Sequence, residues 1–309
     1  MIVAVWSFLI ILILSPVMFF LIRSKPRLER DPVLTTYRHL DIELRRRTPS
    51  NFDAGAMLDI PMLYINLDRS TDRREYIEKT FREWGAPVPI RVPAVDGKAF
   101  VSGAELDWLT PELTSILRAA VSASSSLMTS PSAGELGCTL SHIKALKYAY
   151  DQGWSEFVIF EDDISLSLVP FWPDNLSNLA RRAPLQWNFI LLAPTHCKKP
   201  CTQDICSFKV DDCYCVAAYM GSDRIASTIS SFFNSDGQLS ERILSTTAPL
   251  FSADVFFFQR FPSANYIERL PRFIVINTEL ESTIHPEHTT LHLKACIDVM
   301  ERYLDQKMV

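Results

Sequence analysis

The chain has 309 residues, a formal net charge of -5 and 48% apolar residues, which is length and apolar content enough for one large α/β domain. It lacks the basic excess with which proteins neutralise nucleic-acid phosphates, so nucleic-acid binding is excluded as its main activity.

The first predicted element is a membrane anchor. Ile2–Ile22 holds no charged residue and is long enough to cross a hydrocarbon core of roughly 30 Å as a helix. Pro16 is tolerated in such helices, and no basic leader or small-residue cleavage site marks a removable signal. Arg23, Lys25, Arg27 and Arg30 follow the segment, and the positive-inside rule would leave the rest of the chain in the cytoplasm. The cysteines argue the other way. Five of the seven are Cys197, Cys201, Cys206, Cys213 and Cys215; such a cluster reads as loop-stapling disulfides in an oxidising lumen, or as zinc ligands in a reducing compartment. No paired C-x2-C knuckle supports zinc, and Asn175-Leu176-Ser177 is a glycosylation sequon that agrees with a lumen. The expectation is an ER or Golgi lumenal domain behind a single-pass anchor, residues 1–22.

Residues 23–58 mix Arg, Pro, Asp and Thr without sustained periodicity and read as a stem. The folded domain is expected at 59–309. Met62 to Leu67 is a short apolar strand ending in Asn66. It is followed by a helix with Asp72 and Glu75 in a capping pattern, Tyr76, Ile77, Thr80, Phe81 and Trp84 on one face, and a stop at Gly85. The pattern recurs: a helix over Thr139 to Gln152, a stop at Gly153, then the strand Phe157-Val158-Ile159-Phe160. Further strands are predicted at 188–192, 216–220, 254–258 and 273–276, with a helix from Asp223 to about Phe233. The Ser-rich stretch 122–126 reads as a loop. Alternation of this kind means an α/β domain, expected here with a mostly parallel sheet.

Chemistry concentrates at Glu161-Asp162-Asp163, three adjacent carboxylates delivered by a buried strand. Open α/β sheets bind ligands just outside the carboxyl ends of such strands. Like charges in a row favour protonation or a cation, and hard oxygen ligands suit Mn2+ or Mg2+. A solvated acidic turn is the plain alternative.

Taken in order, Tyr64-Ile65-Asn66-Leu67-Asp68-Arg69 with Arg73, then Ala94-Val95-Asp96-Gly97, Gly134-Glu135-Leu136-Gly137-Cys138-Thr139-Leu140-Ser141-His142 and Glu161-Asp162-Asp163 resemble glycosyltransferase family 25. That family includes lipopolysaccharide and collagen galactosyltransferases. The resemblance runs from about Pro61 to His285. It implies a GT-A-like nucleotide-sugar-binding fold, an acidic motif for a divalent cation, and a UDP-sugar donor with galactose foremost. It also implies a hydroxyl of a glycan or glycoprotein as acceptor, with inversion at the anomeric carbon.

On that resemblance Asn66, Arg69, Arg73, Asp96, Gly97, Glu135 and His142 are the expected donor-binding residues. Arg offers planar donors to phosphate and helix N-termini favour anions. For Arg73 a solvated first turn explains the residue as well, and Asp96-Gly97 has ordinary turn chemistry. Cys138 reads as a small core residue. Glu161, Asp162, Asp163 and His285 are the expected metal ligands, while His288 and His292 read as surface residues. Asp254, an isolated acid before an apolar run, is the candidate base that takes the acceptor proton, with Glu279 and Glu281 in reserve. A catalytically silent member that binds glycans or a partner enzyme, and a metal-dependent nucleotidyltransferase releasing pyrophosphate, are the alternatives.

Overall fold

A computed structural model describes residues 32–123, 132–194, 196–199, 201–209, 212–214, 216–244, 252–275 and 289–305. The proposed anchor lies outside these residues, and none of the helices within them is long and apolar enough to cross a membrane.

Helix α1 (Pro32–Arg47) and the single turn α2 (Ala54–Met57) open the described chain. Residues 32–47 were expected as stem, and they form a helix instead. Leu34, Tyr37 and Leu44 fall on one face and are buried, and the helix packs on the last helix, α10, introduced below. Strand β1 (Met62–Asn66) leads into α3 (Thr71–Glu83), which is stopped by Gly85 in the left-handed region at φ 66°. Its cap residue is Ser70, so Asp72 and Glu75 sit inside the helix and form no capping box. Strand β2 (Ile90–Pro93), α4 (Gly97–Val101), α5 (Pro111–Ala123) and α6 (Ala133–Asp151) follow. Helix α6 begins six residues before the expected Thr139. A reciprocal capping box explains this: Glu135 N–H donates to Ser132 Oγ at 3.1 Å and Ser132 N–H donates to Glu135 Oε2 at 2.8 Å.

Strand β3 (Glu156–Glu161) and the short β4 (Ile164–Ser165) precede α7 (Leu176–Arg182) and β5 (Phe189–Leu191). The cysteine-rich segment then supplies β6 (His196–Cys197), β7 (Ile205–Ser207) and β8 (Cys213–Tyr214), stapled by disulfides Cys197–Cys213 and Cys201–Cys206. Strand β9 (Ala218–Ser222), α8 (Asp223–Ser230), α9 (Ala253–Arg260), β10 (Asn265–Glu268), β11 (Ile274–Val275) and α10 (Thr289–Asp305) complete the order. The expected strand at 254–258 is thus a helix. Phe256, Phe257 and Phe258 are all buried, and an apolar run buried on every side carries no period that separates strand from helix.

Seven strands form the main sheet in the order β2-β1-β3-β9-β5-β10-β7. β1 pairs in parallel with both β2 and β3, and β5 with β10, whereas β9 runs antiparallel between β3 and β5, and β7 antiparallel at the edge. The sheet is therefore mixed, not mostly parallel. Alternation along β3 sends Phe157 and Ile159 into one core, with Leu140, Ile143 and Leu146 of α6, and Val158 and Phe160 into the other, with Ile77 and Phe81 of α3. Both faces are covered, which is why the central strands are continuously apolar. Strand β1 is the topological switch: the crossover through α3 leads to β2 on one face, and the crossover through α6 leads to β3 on the other. Such a reversal opens a crevice at the carboxyl ends of the strands.

Candidate active site

The crevice is present as a cleft of about 750 Å³, its open mouth included, lined by the ends of β1 and β3, the β1 to α3 turn, the Ala94–Lys98 loop and the first turns of α6. Among the expected residues Arg69, Arg73, Asp96, Gly97, Glu161, Asp162 and Asp163 line it, together with Lys98, Cys138 and Ser141.

Arg73 is buried between two carboxylates rather than exposed on a first turn. Its Nη2 donates to Asp163 Oδ2, and its Nε lies 2.7 Å from Asp162 Oδ1 at ion-pair distance without hydrogen-bond alignment. Asn66 joins the same cluster, donating from Nδ2 to Asp162 Oδ2 at 2.6 Å and to the Ser70 carbonyl at 3.0 Å. Arg91 fixes Asn66 in turn: its Nε donates to Asn66 Oδ1 at 3.0 Å, and its Nη2 to the Asn66 carbonyl at 3.1 Å and to Asp68 at 2.5 Å. Arg69 pairs with Asp96, whose other oxygen caps α4 by accepting from Lys98 and Ala99 N–H at 3.1 and 3.3 Å.

One guanidinium does not offset this much buried acid. Burial pushes the Asp163 carboxyl up to about 7, against the pull of Arg73 and with the help of Glu161 and Asp162. Burial likewise raises Asp162, with Arg73 and Asn66 opposing. Glu161 behaves oppositely. Burial raises it too, but contact with His142 and Arg73 outweighs this and holds its carboxyl below the usual range.

The reason is that the three acids face different partners. Glu161 turns toward α6, where Cys138 Sγ is 3.6 Å and His142 Nε2 is 3.5 Å from its Oε1. His142 is fully buried, with Nδ1 3.2 Å from the Tyr219 hydroxyl. It lies beneath the cleft and is not a lining residue. Among the described residues the run Glu161 to Asp163 does not gather three carboxylates around one point; the group that does converge is Cys138, His142 and Glu161, with ligating atoms within 4.8 Å of one another. Asp163 Oδ1 is a buried oxygen without a hydrogen-bond partner.

Glu135 contributes its carboxylate to the α6 capping box and does not line the cleft. Asp254 stands in the first turn of α9, Oδ1 accepting from Val255 N–H at 2.8 Å, outside the cleft lining. His285, His288, Glu279 and Glu281 lie outside the described residues, as does the side chain of His292. Arg91, Ser141 and Tyr219 also hold the site together, without a role assigned to them from the sequence. Arg91 had a signal, a charged residue inside the strand Ile90-Arg91-Val92. Ser141 accepts from Val95 N–H at 2.8 Å and donates to the Gly137 carbonyl at 2.6 Å, so it ties the Ala94–Lys98 loop to α6.

That junction is backbone on backbone. A Cβ on Gly137 would sit 2.7 Å from the Val95 carbonyl oxygen and 2.8 Å from Gly97 N, and a side chain on Gly97 would run into the Ala133 carbonyl.

Residues 59–192 match the family model described as glycosyltransferase family 25 (LPS biosynthesis protein). The match contains every lining residue of the cleft and ends before Asp254 and His285.

Proposed function

We propose that this chain, a family 25 glycosyltransferase over residues 59–192, binds a nucleotide-sugar in the switch-point cleft and transfers its hexose, galactose from UDP-galactose foremost, to a hydroxyl of a glycan or glycoprotein. The observation that carries the reading is the switch-point cleft at the ends of β1 and β3, walled by Arg69, Arg73 and Lys98 beside Asp96, Glu161, Asp162 and Asp163. Lys98 offers a diphosphate a point charge, and the two guanidiniums, each paired with acids through some of its five N–H groups, keep further donors for it.

In the proposed step the acceptor oxygen bonds to the anomeric carbon as the bond from that carbon to the diphosphate breaks, with inversion. The charge released on the diphosphate is met by Lys98 and the remaining donors of Arg69 and Arg73, and Asp254, which stands outside the cleft lining, is the proposed base for an acceptor that extends beyond the cleft. Helix α9, which carries Asp254, packs on α6 with Phe257 edge-on to His142 at 6.1 Å. Mn2+ or Mg2+ remains the proposed cofactor. The acids as arranged do not fit one ion held by all three, so no step is routed through it.

The two disulfides support a lumenal domain, held by Ile2–Ile22 as anchor. Calorimetric titration of the full chain with UDP-galactose and other nucleotide-sugars, with Mn2+ and with chelator, tests the reading. UDP-galactose is expected to bind and to release UDP on transfer. Absence of binding by any nucleotide-sugar would sink it. Asp254→Asn is expected to lower kcat by about 10²- to 10⁴-fold with donor affinity unchanged; a parallel loss of donor affinity would move Asp254 to the donor site.

A further inference from the structure

We propose that Cys138, His142 and Glu161 form a site for a borderline-soft divalent cation, Zn2+ by preference, at the floor of the cleft. Cys138 and His142 are four residues apart on α6 and so project from one face of the helix, while Glu161 ends β3 opposite them. Two of the three ligand separations match one tetrahedral ion, and the third, between Cys138 and His142, lies within 4.8 Å. Bonds of about 2.3 Å to sulfur and about 2.0–2.1 Å to nitrogen and oxygen set ligand edges of roughly 3.3–3.6 Å. The edges found are 3.6 Å from Cys138 Sγ to Glu161 Oε1 and 3.5 Å from His142 Nε2 to the same oxygen.

An independent observation points to a missing ligand. His142 is fully buried, and its Nε2 faces Glu161 with no hydrogen-bond partner, a state that costs a buried polar atom about 1–3 kcal/mol. A cation between the two groups satisfies both. The outer contact is already in place, since Nδ1 lies 3.2 Å from the Tyr219 hydroxyl and a proton shared there leaves the Nε2 lone pair for the metal. Thiolate, imidazole and carboxylate together rank Zn2+ above Mn2+. Because Cys138 and Glu161 line the cleft, the ion has an entry path and an open fourth position toward solvent. The inference concerns binding alone and does not rest on the donor or the reaction.

The experiment is metal titration of the full, chelator-treated chain, with Zn2+ against a competing indicator and with Co2+ read by its thiolate charge-transfer absorption. One equivalent of tightly held Zn2+ and a thiolate band are expected. Cys138→Ser should lose the band, and Tyr219→Phe, which keeps the ligands, should weaken Zn2+ by about 10- to 100-fold. Failure of the wild-type chain to bind Zn2+, or a thiolate band that survives Cys138→Ser, overturns the proposal. The first result would leave His142 and Glu161 as a contact within the fold. Since nucleotide-sugar binding is read separately, either reading can fail without the other.

Discussion

Arg73 and Arg272 are both guanidiniums buried among carboxylates, and they are surrounded in different ways. Arg272 donates from Nε to Glu268, from Nη1 to the Asp174 carbonyl at 2.5 Å, and from Nη2 to Asp174 Oδ1 at 2.7 Å and Glu268 Oε1 at 2.8 Å; its guanidinium also lies over Trp172, 5.0 Å from the ring centre. Arg182 adds bonds of 2.8 Å to Asp174 Oδ2 and 3.0 Å to Glu268 Oε1. Two cations meet two anions and every carboxylate oxygen is engaged. Burial pushes the Asp174 carboxyl up, but the bonds from Arg182 and Arg272 outweigh it and hold it below the usual range. At Arg73 one cation faces Glu161, Asp162 and Asp163, one oxygen is orphaned, and two carboxyls are driven upward. A closed network serves the fold. An acid-rich one with an unmet atom stores a demand for charge that a ligand can fill.

The contrast is broken or sharpened by substitution. Arg272→Met should cost the most, about 3 kcal/mol, the low end of the range for breaking a buried pair because Arg182 remains; urea denaturation measures it, and a loss no larger than that of Arg73→Met would break the contrast. Arg73→Met should cost clearly less stability, because Asp163 can take up a proton, and less at pH 5 than at pH 8. Its main effect should fall on nucleotide-sugar affinity, read by calorimetry.

Asp163→Asn sharpens the point through pH. The ordinary value for this carboxyl is 3.8 and the folded value is about 7, so between them the folded chain holds a proton that the unfolded chain has lost. Stability from this group therefore falls as pH rises from about 4 to about 7. The variant should show a flatter denaturation midpoint across that window, and an unchanged slope would refute the assignment. The smallest effect is expected at Asp174, whose folded carboxyl titrates below its ordinary value. Its contribution is present above 3.8 and lost as pH falls through the folded value. Asp174→Asn should lower the midpoint at pH 7 and converge with the parent chain in acid.

Much of the site could be read from the chain because it lies at strand ends. The apolar runs of β1 and β3 position Asn66 and Glu161, and glycines 85 and 153 mark the helix ends that precede the next strands. What escaped depends on contacts remote in sequence. Arg73 is buried only because Asp162 and Asp163 arrive 89 and 90 residues later. The helix at 32–47 carries Leu-Asp-Ile-Glu-Leu-Arg-Arg-Arg, whose charges mask a face that α10, at the far end of the chain, buries. The Phe256 to Phe258 run reads as strand in the sequence because burial all round erases its period. Cys138, read as core, turns out to share a carboxylate with His142.

The meeting of Gly97 and Gly137 makes one wall of the cleft a joint without tolerance. With main chain resting on main chain, that wall can be neither padded nor loosened by changing a side chain; any bulk added at either glycine moves the whole loop. An engineer who wished to change the size of the guest would therefore find one jaw of the vice fixed. The adjustable jaw is the turn between β1 and α3, where Leu67 and Ser70 face the opening.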